Sequence, residues 1–556
     1  MIRIYGKGAS KGITEGTLYF FRRSEPLIEK KYAPDSEAEL ARFEAARQLA
    51  MQQLSALYHK VLEQVSEGTA ALFEAYRMML EDDDYIQTVR ENIFTGICAE
   101  AAVQETYRTF ERRFSLIDND YMNARIADIK DVSDRVLRIL CGVQPKEIVM
   151  EEPVILAAED LSPSELAQLD PNCILGVVTA GGEMYSHTAI LARTMGVPAI
   201  VRAGKRLTDL YEGKYVMMDG QTGELAIEPD GLTTRRLKKK QAKERAMKEL
   251  MDRLKGKPDV TVDGQTMHVY CNISSPDDLD AVVANDGAGI GLFRSEFLYL
   301  QERTFPTEEQ QFRAYRAVAE RMNGKRVIIR TADIGADKQV GYFRLDKEPN
   351  PAMGMRAIRI GLSRPEIFKT QLRALYRASA YGKIAILFPM IASLWEVQEV
   401  RRQCKAVQAE LTAEGISFNP DTELGIMLET PAAVLMSDQL AREVDFFSVG
   451  TNDLTQFTLA IDRQSYTLAR FFDAHHPSVL RMIHLAAENA HRAGIWLGIC
   501  GELAADISLT ETFLALGVDE LSVSPPSVLP LRSAIRSTTI GEKRDQILKS
   551  LWNPTA

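Results

Sequence analysis

Asp445-Phe446-Phe447-Ser448-Val449-Gly450-Thr451-Asn452-Asp453-Leu454-Thr455-Gln456 runs from a short apolar segment, through a glycine, into a polar stretch. Alone it is ambiguous, because an Asn-Asp pair often makes a turn. Its recurrence decides the fold. Comparable apolar and β-branched runs stand at His268–Asn272, Gly289–Phe293, Val327–Ile329, Ile384–Phe388, Leu424–Leu428, Phe446–Val449, Trp496–Ile499 and Glu520–Val523, with longer helical patterns between them. Eight strands alternating with helices predict a (β/α)8 barrel over residues 261–556.

In such a barrel, functional groups gather at the C-terminal ends of the strands. Here those ends read Arg294-Ser295-Glu296, Arg330-Thr331-Ala332-Asp333, Pro389-Met390, Glu429-Thr430-Pro431, Gly450-Thr451-Asn452-Asp453 and Cys500-Gly501-Glu502, with Arg463 shortly after the sixth strand. Each residue has a dull explanation: arginines pair with structural acids, and a single cysteine is usually a small core residue. Polar residues after strand upon strand are harder to dismiss. Three arginines suit a substrate bearing phosphate and carboxylate groups, since each planar fork binds an oxyanion bidentately. Two carboxylates without histidine or thiol ligands suit a hard ion such as Mg²⁺. A thiol facing the pocket can donate a proton.

Outside the barrel the texture changes twice. Residues 1–20 are strand-like with glycine punctuation, and αβ texture returns over 146–229. Between them, residues 21–145 are helical: Ser36 and Glu39 read as a capping box, and Leu40, Phe43, Ala50, Leu54, Leu57 and Val61 follow helical spacing. The expectation is one α/β domain from 1–20 and 146–229 with a helical subdomain, 21–145, inserted into it. Ser162-Pro163-Ser164-Glu165 reads as a helix start. Residues 230–260 form a linker helix whose basic run reads as a solvated face rather than a nucleic-acid site.

The most suggestive stretch of this part is Gly181-Gly182-Glu183-Met184-Tyr185-Ser186-His187, between the apolar run Ile174–Val178 and a helical pattern containing Ile190, Leu191 and Arg193. It puts His187 near a helix N-terminus, where free N–H groups favour an anion. The bland alternative is a histidine beside an αβ turn.

The 556 residues are enough for three or four domains. No apolar run is long enough to span a bilayer, and the N-terminus lacks a signal-peptide core. Six scattered cysteines without a CxxC pair point away from disulfides and toward a reducing cytoplasm. A net charge of −10 disfavours nucleic acid and suits a basic protein partner.

Taken together, Gly291-Leu292-Phe293-Arg294-Ser295-Glu296-Phe297-Leu298, Asp333-Ile334-Gly335-Ala336-Asp337-Lys338, Glu429-Thr430-Pro431-Ala432-Ala433 and the opening stretch closely resemble enzyme I of the bacterial phosphoenolpyruvate:sugar phosphotransferase system, within the wider phosphoenolpyruvate-utilising family. The resemblance implies a multidomain α/β protein: a C-terminal TIM barrel, an N-terminal phosphohistidine swivel domain and an inserted helical bundle that binds the phosphocarrier protein HPr. It implies that His187 accepts the phosphoryl group, with Arg294, Arg330 and Arg463 binding phosphoenolpyruvate and Asn452, Asp453, Lys338 and Arg356 assisting. Glu429 and Asp453 would hold Mg²⁺, and Cys500 would protonate the enolate as pyruvate forms. Tyr76, exposed Met78 and Met79, and Arg125 would face HPr. A cytoplasmic homodimer, joined through the barrel, is expected. Glu183, Met184, Tyr185 and Ser186 stand where the family has glycine, arginine, threonine and serine. That departure leaves open a paralogue serving a regulatory carrier, or a phosphoenolpyruvate sensor with weak turnover.

Overall fold

A computed structural model describes residues 1–23, 28, 32–33, 35–64, 67–115, 120–143, 152–184, 186–300, 304–335, 340–346, 348–463 and 465–552. The chain divides into two compact units, Met1–Met247 and Lys248–Ala556.

The first unit is built on an eight-stranded sheet. Its strands are β1 (Ile2–Tyr5), β2 (Lys7–Ser10), β3 (Ile13–Phe21), β4 (Val154–Ala158), β5 (Ile174–Thr179), β6 (Ala199–Val201), β7 (Tyr215–Asp219) and β8 (Glu224–Ile227), in the order β1-β8-β7-β3-β4-β5-β6-β2. β3, β4, β5 and β6 run parallel; the pairings at either side are antiparallel. Alternation sorts the side chains. Leu18, Phe20, Ile155, Ala157 and Val178 bury on one face. Leu156, Ala158 and Val177 face the other, against the helical insert.

Among the described residues the insert has five helices: Ser36–Gln64, Glu67–Glu81, Asp83–Phe94, Ala99–Ser115 and Asp120–Leu140. Phe43, Ala50, Leu54, Leu57 and Val61 share the buried side of the first, as their spacing predicts. Fully burying each of the larger side chains contributes roughly 1.5–3 kcal/mol. The capping box read at Ser36 and Glu39 does not form. Asp35 caps the helix instead, its Oδ1 accepting from Ala38 N at 3.0 Å, while Glu39 accepts from Ala99 N at 2.7 Å and pairs with Arg42. An acid one position earlier outcompetes the serine, and Glu39 finds partners in a neighbouring helix. At Ser162–Glu165 the capping box is present.

The helix Gly231–Asp252 carries the basic run. Part of it is ion-paired rather than solvated: Arg236 meets Glu224 at 2.6 Å and Lys240 meets the buried Asp219 at 2.6 Å. Those acids, at the turn between β7 and β8, anchor the helix to the sheet.

The second unit is a closed parallel barrel of β9 (His268–Ile273), β10 (Ile290–Arg294), β11 (Val327–Arg330), β12 (Ile384–Phe388), β13 (Glu423–Leu428), β14 (Phe446–Val449), β15 (Trp496–Ile499) and β16 (Glu520–Val523). All eight expected strands are present, with ends shifted by one residue at most. Leu292, Ile328, Ala385, Leu387, Met427, Phe446 and Cys500 pack inside it. The opposite faces of the strands pack on the surrounding helices, through residues such as Phe293, Ile329 and Phe447. Among the described residues no helix is long and apolar enough to cross a membrane.

Candidate active site

A cavity of about 810 Å³ opens at the C-terminal ends of the barrel strands. Arg294 ends β10 and Arg330 ends β11, Glu429 follows β13, and Cys500 follows β15. Asn452 and Asp453 lie in the first turn of the helix Thr451–Leu459, directly after β14. The cavity lining brings these six residues together with Arg356 and Arg463. Lys338 lies outside the described residues.

Two acids to which the sequence reading gave no role hold the arginines in place. Arg330 Nη2 donates to Glu296 Oε1 at 2.8 Å, and its Nη1 stands 3.3 Å from Asp333 Oδ2. Arg356 grips Asp333 through three contacts of 2.9–3.2 Å and reaches Asp453 Oδ2 at 3.5 Å. Burial disfavours both guanidinium charges, but the surrounding acids outweigh it and hold both pKa values above the ordinary arginine value. The forks are therefore fixed before any ligand arrives, which lowers the ordering cost of binding an oxyanion. Asn452 and Glu502 tie the segments after β14 and β15 together, with Asn452 Nδ2 donating to Glu502 Oε1 at 3.3 Å and Glu502 N to Asn452 Oδ1 at 3.2 Å.

Glu429 is buried and accepts from Met390 N at 2.6 Å. Met390 holds a φ of 56°, a strained conformation for a non-glycine residue that aims its N–H at the acid. Burial, Asp453 and Asp333 together push Glu429 above the usual glutamate range. An acid so surrounded by negative charge suits a bound cation. The oxygen-only pair Glu429 and Asp453 matches a Mg²⁺ ion that keeps water and substrate oxygens. No cluster of three or more metal-binding side chains occurs among the described residues, so most of the ion's ligands would come from elsewhere. The Cys500 thiol is 3% exposed, and burial pushes it up to about 12. It stays protonated at neutral pH.

In the first unit, β5 ends at a turn containing Gly182 (φ 83°), and the helix His187–Thr194 follows. Ser186 caps it through Oγ, which accepts from Ala189 N at 3.3 Å. His187 is its first residue, and its side chain is about one-third exposed. Its Nδ1 lies 2.8 Å from Asp128 Oδ1. The same oxygen accepts from the Tyr76 hydroxyl at 2.8 Å. With Asp128 as acceptor, Nδ1 carries the proton of the neutral ring and Nε2 the lone pair. Asp128 belongs to the helix Asp120–Leu140, so packing of the insert on the sheet sets the tautomer. The carboxylate of Glu183 forms an ion pair with Arg202, which offsets its charge.

Tyr76 corrects an expectation. It is fully buried, its ring edge-on to Phe73 and its hydroxyl bound to Asp128, so it does not present itself to a partner. Met79 is also partly buried against the core, whereas Met78 is 58% exposed. The side chain of Arg125 lies outside the described residues.

Three family models match in sequence: the PEP-utilising enzyme N-terminal domain over residues 5–125, the mobile domain over 150–223 and the PEP-binding domain over 248–540. The chain is 42% identical to a phosphoenolpyruvate-protein phosphotransferase of Bacillus sp. (strain S), over 96% of this chain and 93% of that one. It is 41% identical to that of Bacillus subtilis (strain 168), over 96% and 94%, and 39% identical to that of Haemophilus influenzae, over 100% and 97%. Similarity of this extent, running through both units, shows that the chain belongs to the PEP-utilising enzyme family, with the phosphoenolpyruvate-protein phosphotransferases.

Proposed function

We propose that the protein moves the phosphoryl group of phosphoenolpyruvate to its own His187 and then to a histidine of HPr, releasing pyruvate as the first step of sugar uptake. The observation that carries this reading is the buried thiol of Cys500 in the wall of an arginine-lined cavity. Phosphate binding alone needs no such acid, whereas an enolate product does. Phosphoryl transfer proceeds through a loose transition state, so positioning and charge neutralisation dominate. Arg294, Arg330 and Arg463 hold the phosphate and carboxylate groups. Glu429 and Asp453 would hold Mg²⁺, which would supply charge neutralisation to the phosphoryl group when bound. The Nε2 lone pair of His187 attacks phosphorus as the bond to the enol oxygen breaks. Cys500 gives its proton to the methylene carbon, and pyruvate results. Acceptor and donor residues belong to different compact units, so the cycle needs movement of the phosphohistidine unit between barrel and carrier.

The exposed Met78 supports a carrier-binding role for the insert. By the same reading the protein is a cytoplasmic homodimer. The test is incubation with labelled phosphoenolpyruvate and Mg²⁺, followed by alkaline phosphopeptide mapping. The expected result is label on the His187 peptide that is chased by HPr. Tight binding without label would overturn the assignment in favour of a sensor.

A further inference from the structure

The peptide that carries the cavity thiol is held from a strand two places away. β15 pairs with β16 through Gly498 with Glu520 and Ile499 with Leu521, and β16 pairs with β9 through Ser522 with Tyr270. Cys500 comes directly after the last residue of β15. On the β14 side its N–H donates to Val449 O at 3.1 Å. On the other side Asn272 of β9 reaches past β16. Its Nδ2 donates to Cys500 O at 3.1 Å and to Ser522 O at 3.1 Å. The Ser522 hydroxyl, fully buried, donates to Asn272 Oδ1 at 2.6 Å.

This network closes in only one way. The two backbone carbonyls accept and cannot donate, so the amide must turn its nitrogen to them, one N–H for each. Its oxygen is left to the serine. A buried polar network satisfied in this way rigidifies what it touches. Glycines make the room for it. A Cβ on Gly291 of β10 would overlap Ser522 Oγ, so a larger residue there would displace the hydroxyl. A Cβ on Gly501 would overlap Thr451 Oγ1, so the turn after the thiol lies directly on the start of the helix Thr451–Leu459. Cys500 is thus fixed through its N–H, its carbonyl and its neighbour. Its thiol, in the cavity wall, donates to Val449 O at 3.7 Å.

We propose that Asn272, braced by Ser522, is a positioning residue for the acid: it fixes the peptide of Cys500 so that the thiol meets one face of the enolate. The inference rests on the role given to Cys500 above. The methylene carbon of an enolate is planar and has two faces, and only an acid held in place tells them apart. Proton transfer also needs its donor within hydrogen-bond reach of the acceptor. A strand-end peptide released on one side can tilt, and the thiol tilts with it. An enolate that misses the thiol takes its proton from water, with no preference for either face. Asn272 leaves the bond changes as they were, S–H broken and C–H formed, and sets only where and from which side they happen.

The test uses the full-length protein with HPr and Mg²⁺, and phosphoenolpyruvate deuterated at one of its two C3 positions, turned over in tritiated water. The pyruvate is trapped at once as lactate, and the configuration of its chiral methyl group is read. Wild type should give one configuration. N272L fills a similar volume without the amide and should give a mixture of both, with kcat lowered on the order of 10–100-fold. The KM for phosphoenolpyruvate and single-turnover labelling of His187 should stay within about twofold of wild type, since neither depends on the protonation step. S522A should shift the methyl configuration in the same direction, by less. A single configuration from N272L would overturn the proposal. So would loss of KM and of His187 labelling in step with kcat, which would mean a structural role. Should N272L fail to fold, S522A decides: a single configuration there overturns the clamp. A mixed configuration from wild type would strike the role of Cys500 as acid, and the inference with it. Absence of phosphohistidine in wild type would strike the functional reading itself.

Discussion

Asp128 and Tyr76 act on His187 from another element, and they make sharp predictions. In Asp128→Asn the side-chain amide can donate to Nδ1, which moves the ring proton to Nε2. Single-turnover phosphorylation should then fall on the order of 10²–10⁴-fold, as when a catalytic histidine is held in the wrong tautomer. Phosphoenolpyruvate binding, followed calorimetrically, should stay unchanged. His187→Ala should abolish phosphoprotein formation and leave that binding intact; retained label would sink the assignment. Cys500→Ala should cripple pyruvate formation, and normal turnover would remove its role as acid. At this scale the sequence was a good but partial guide. Arg294, Arg330, Glu429, Asn452, Asp453 and Cys500 were legible because each follows an apolar run by one to four positions; Arg356 lies far from any strand end and came only with the family resemblance. His187 stood out through its glycine turn and the helix behind it. Asp128 was invisible: it is an ordinary acid in a helix 59 positions away, and only the docking of the insert brings it to the ring. Glu296 and Asp333 sat in quoted motifs without a role, because acids that orient an arginine look in sequence like any surface charge.

Elements succeed or fail by their ends. Barrel strands were legible to within one residue, since a buried parallel strand is a short apolar run bounded by helices. The first helix of the insert was legible in its periodicity but not in its cap, where Asp35 and Ser36 compete. The start of the short helix Pro163–Gln168 carries a prediction. Glu165 closes its capping box and also binds Arg23 at 2.8 Å and Arg138 at 2.8 Å. Burial opposes its charge, but the two arginines outweigh burial and leave its pKa below the ordinary value. A lowered folded-state pKa contributes stability at neutral pH that is lost as pH falls through about 4 and below. Glu165→Gln should cost about 1–3 kcal/mol at pH 7, by leaving two part-buried arginine charges without their carboxylate. It should also flatten the acid limb of stability. Thermal melts across pH would check both; an unchanged acid limb would show that the pair contributes nothing.

At the scale of the whole molecule, the acceptor histidine and the arginine cavity belong to different compact units. Phosphoenolpyruvate should bind full-length His187→Ala protein and wild type alike. A mixture of His187→Ala with Cys500→Ala chains, each inactive or crippled alone, should recover phosphotransfer only if one chain's histidine reaches another chain's cavity. Recovery measured against protein concentration separates that route from transfer within a chain. The inserted layout was readable from the alternation of textures along the chain. The wrap of the basic helix onto acids between β7 and β8 was not, because a run of lysines and arginines looks solvated until its partners fold beneath it.

That same layout sets an order of events during synthesis. Thr17 pairs with Val154, and Ile2 with Ile227. The first three strands leave the ribosome long before their partners exist, while the helices between them need only near neighbours and form fast. The insert is therefore the natural first nucleus of the nascent chain. Until residue 227 emerges, β1 remains an unpaired edge exposed to stray pairing, the kind of surface a chaperone holds. Slowing translation within the stretch between the insert and β8 should lengthen that exposure and raise the fraction of chains lost to aggregation, without altering any contact in the finished fold.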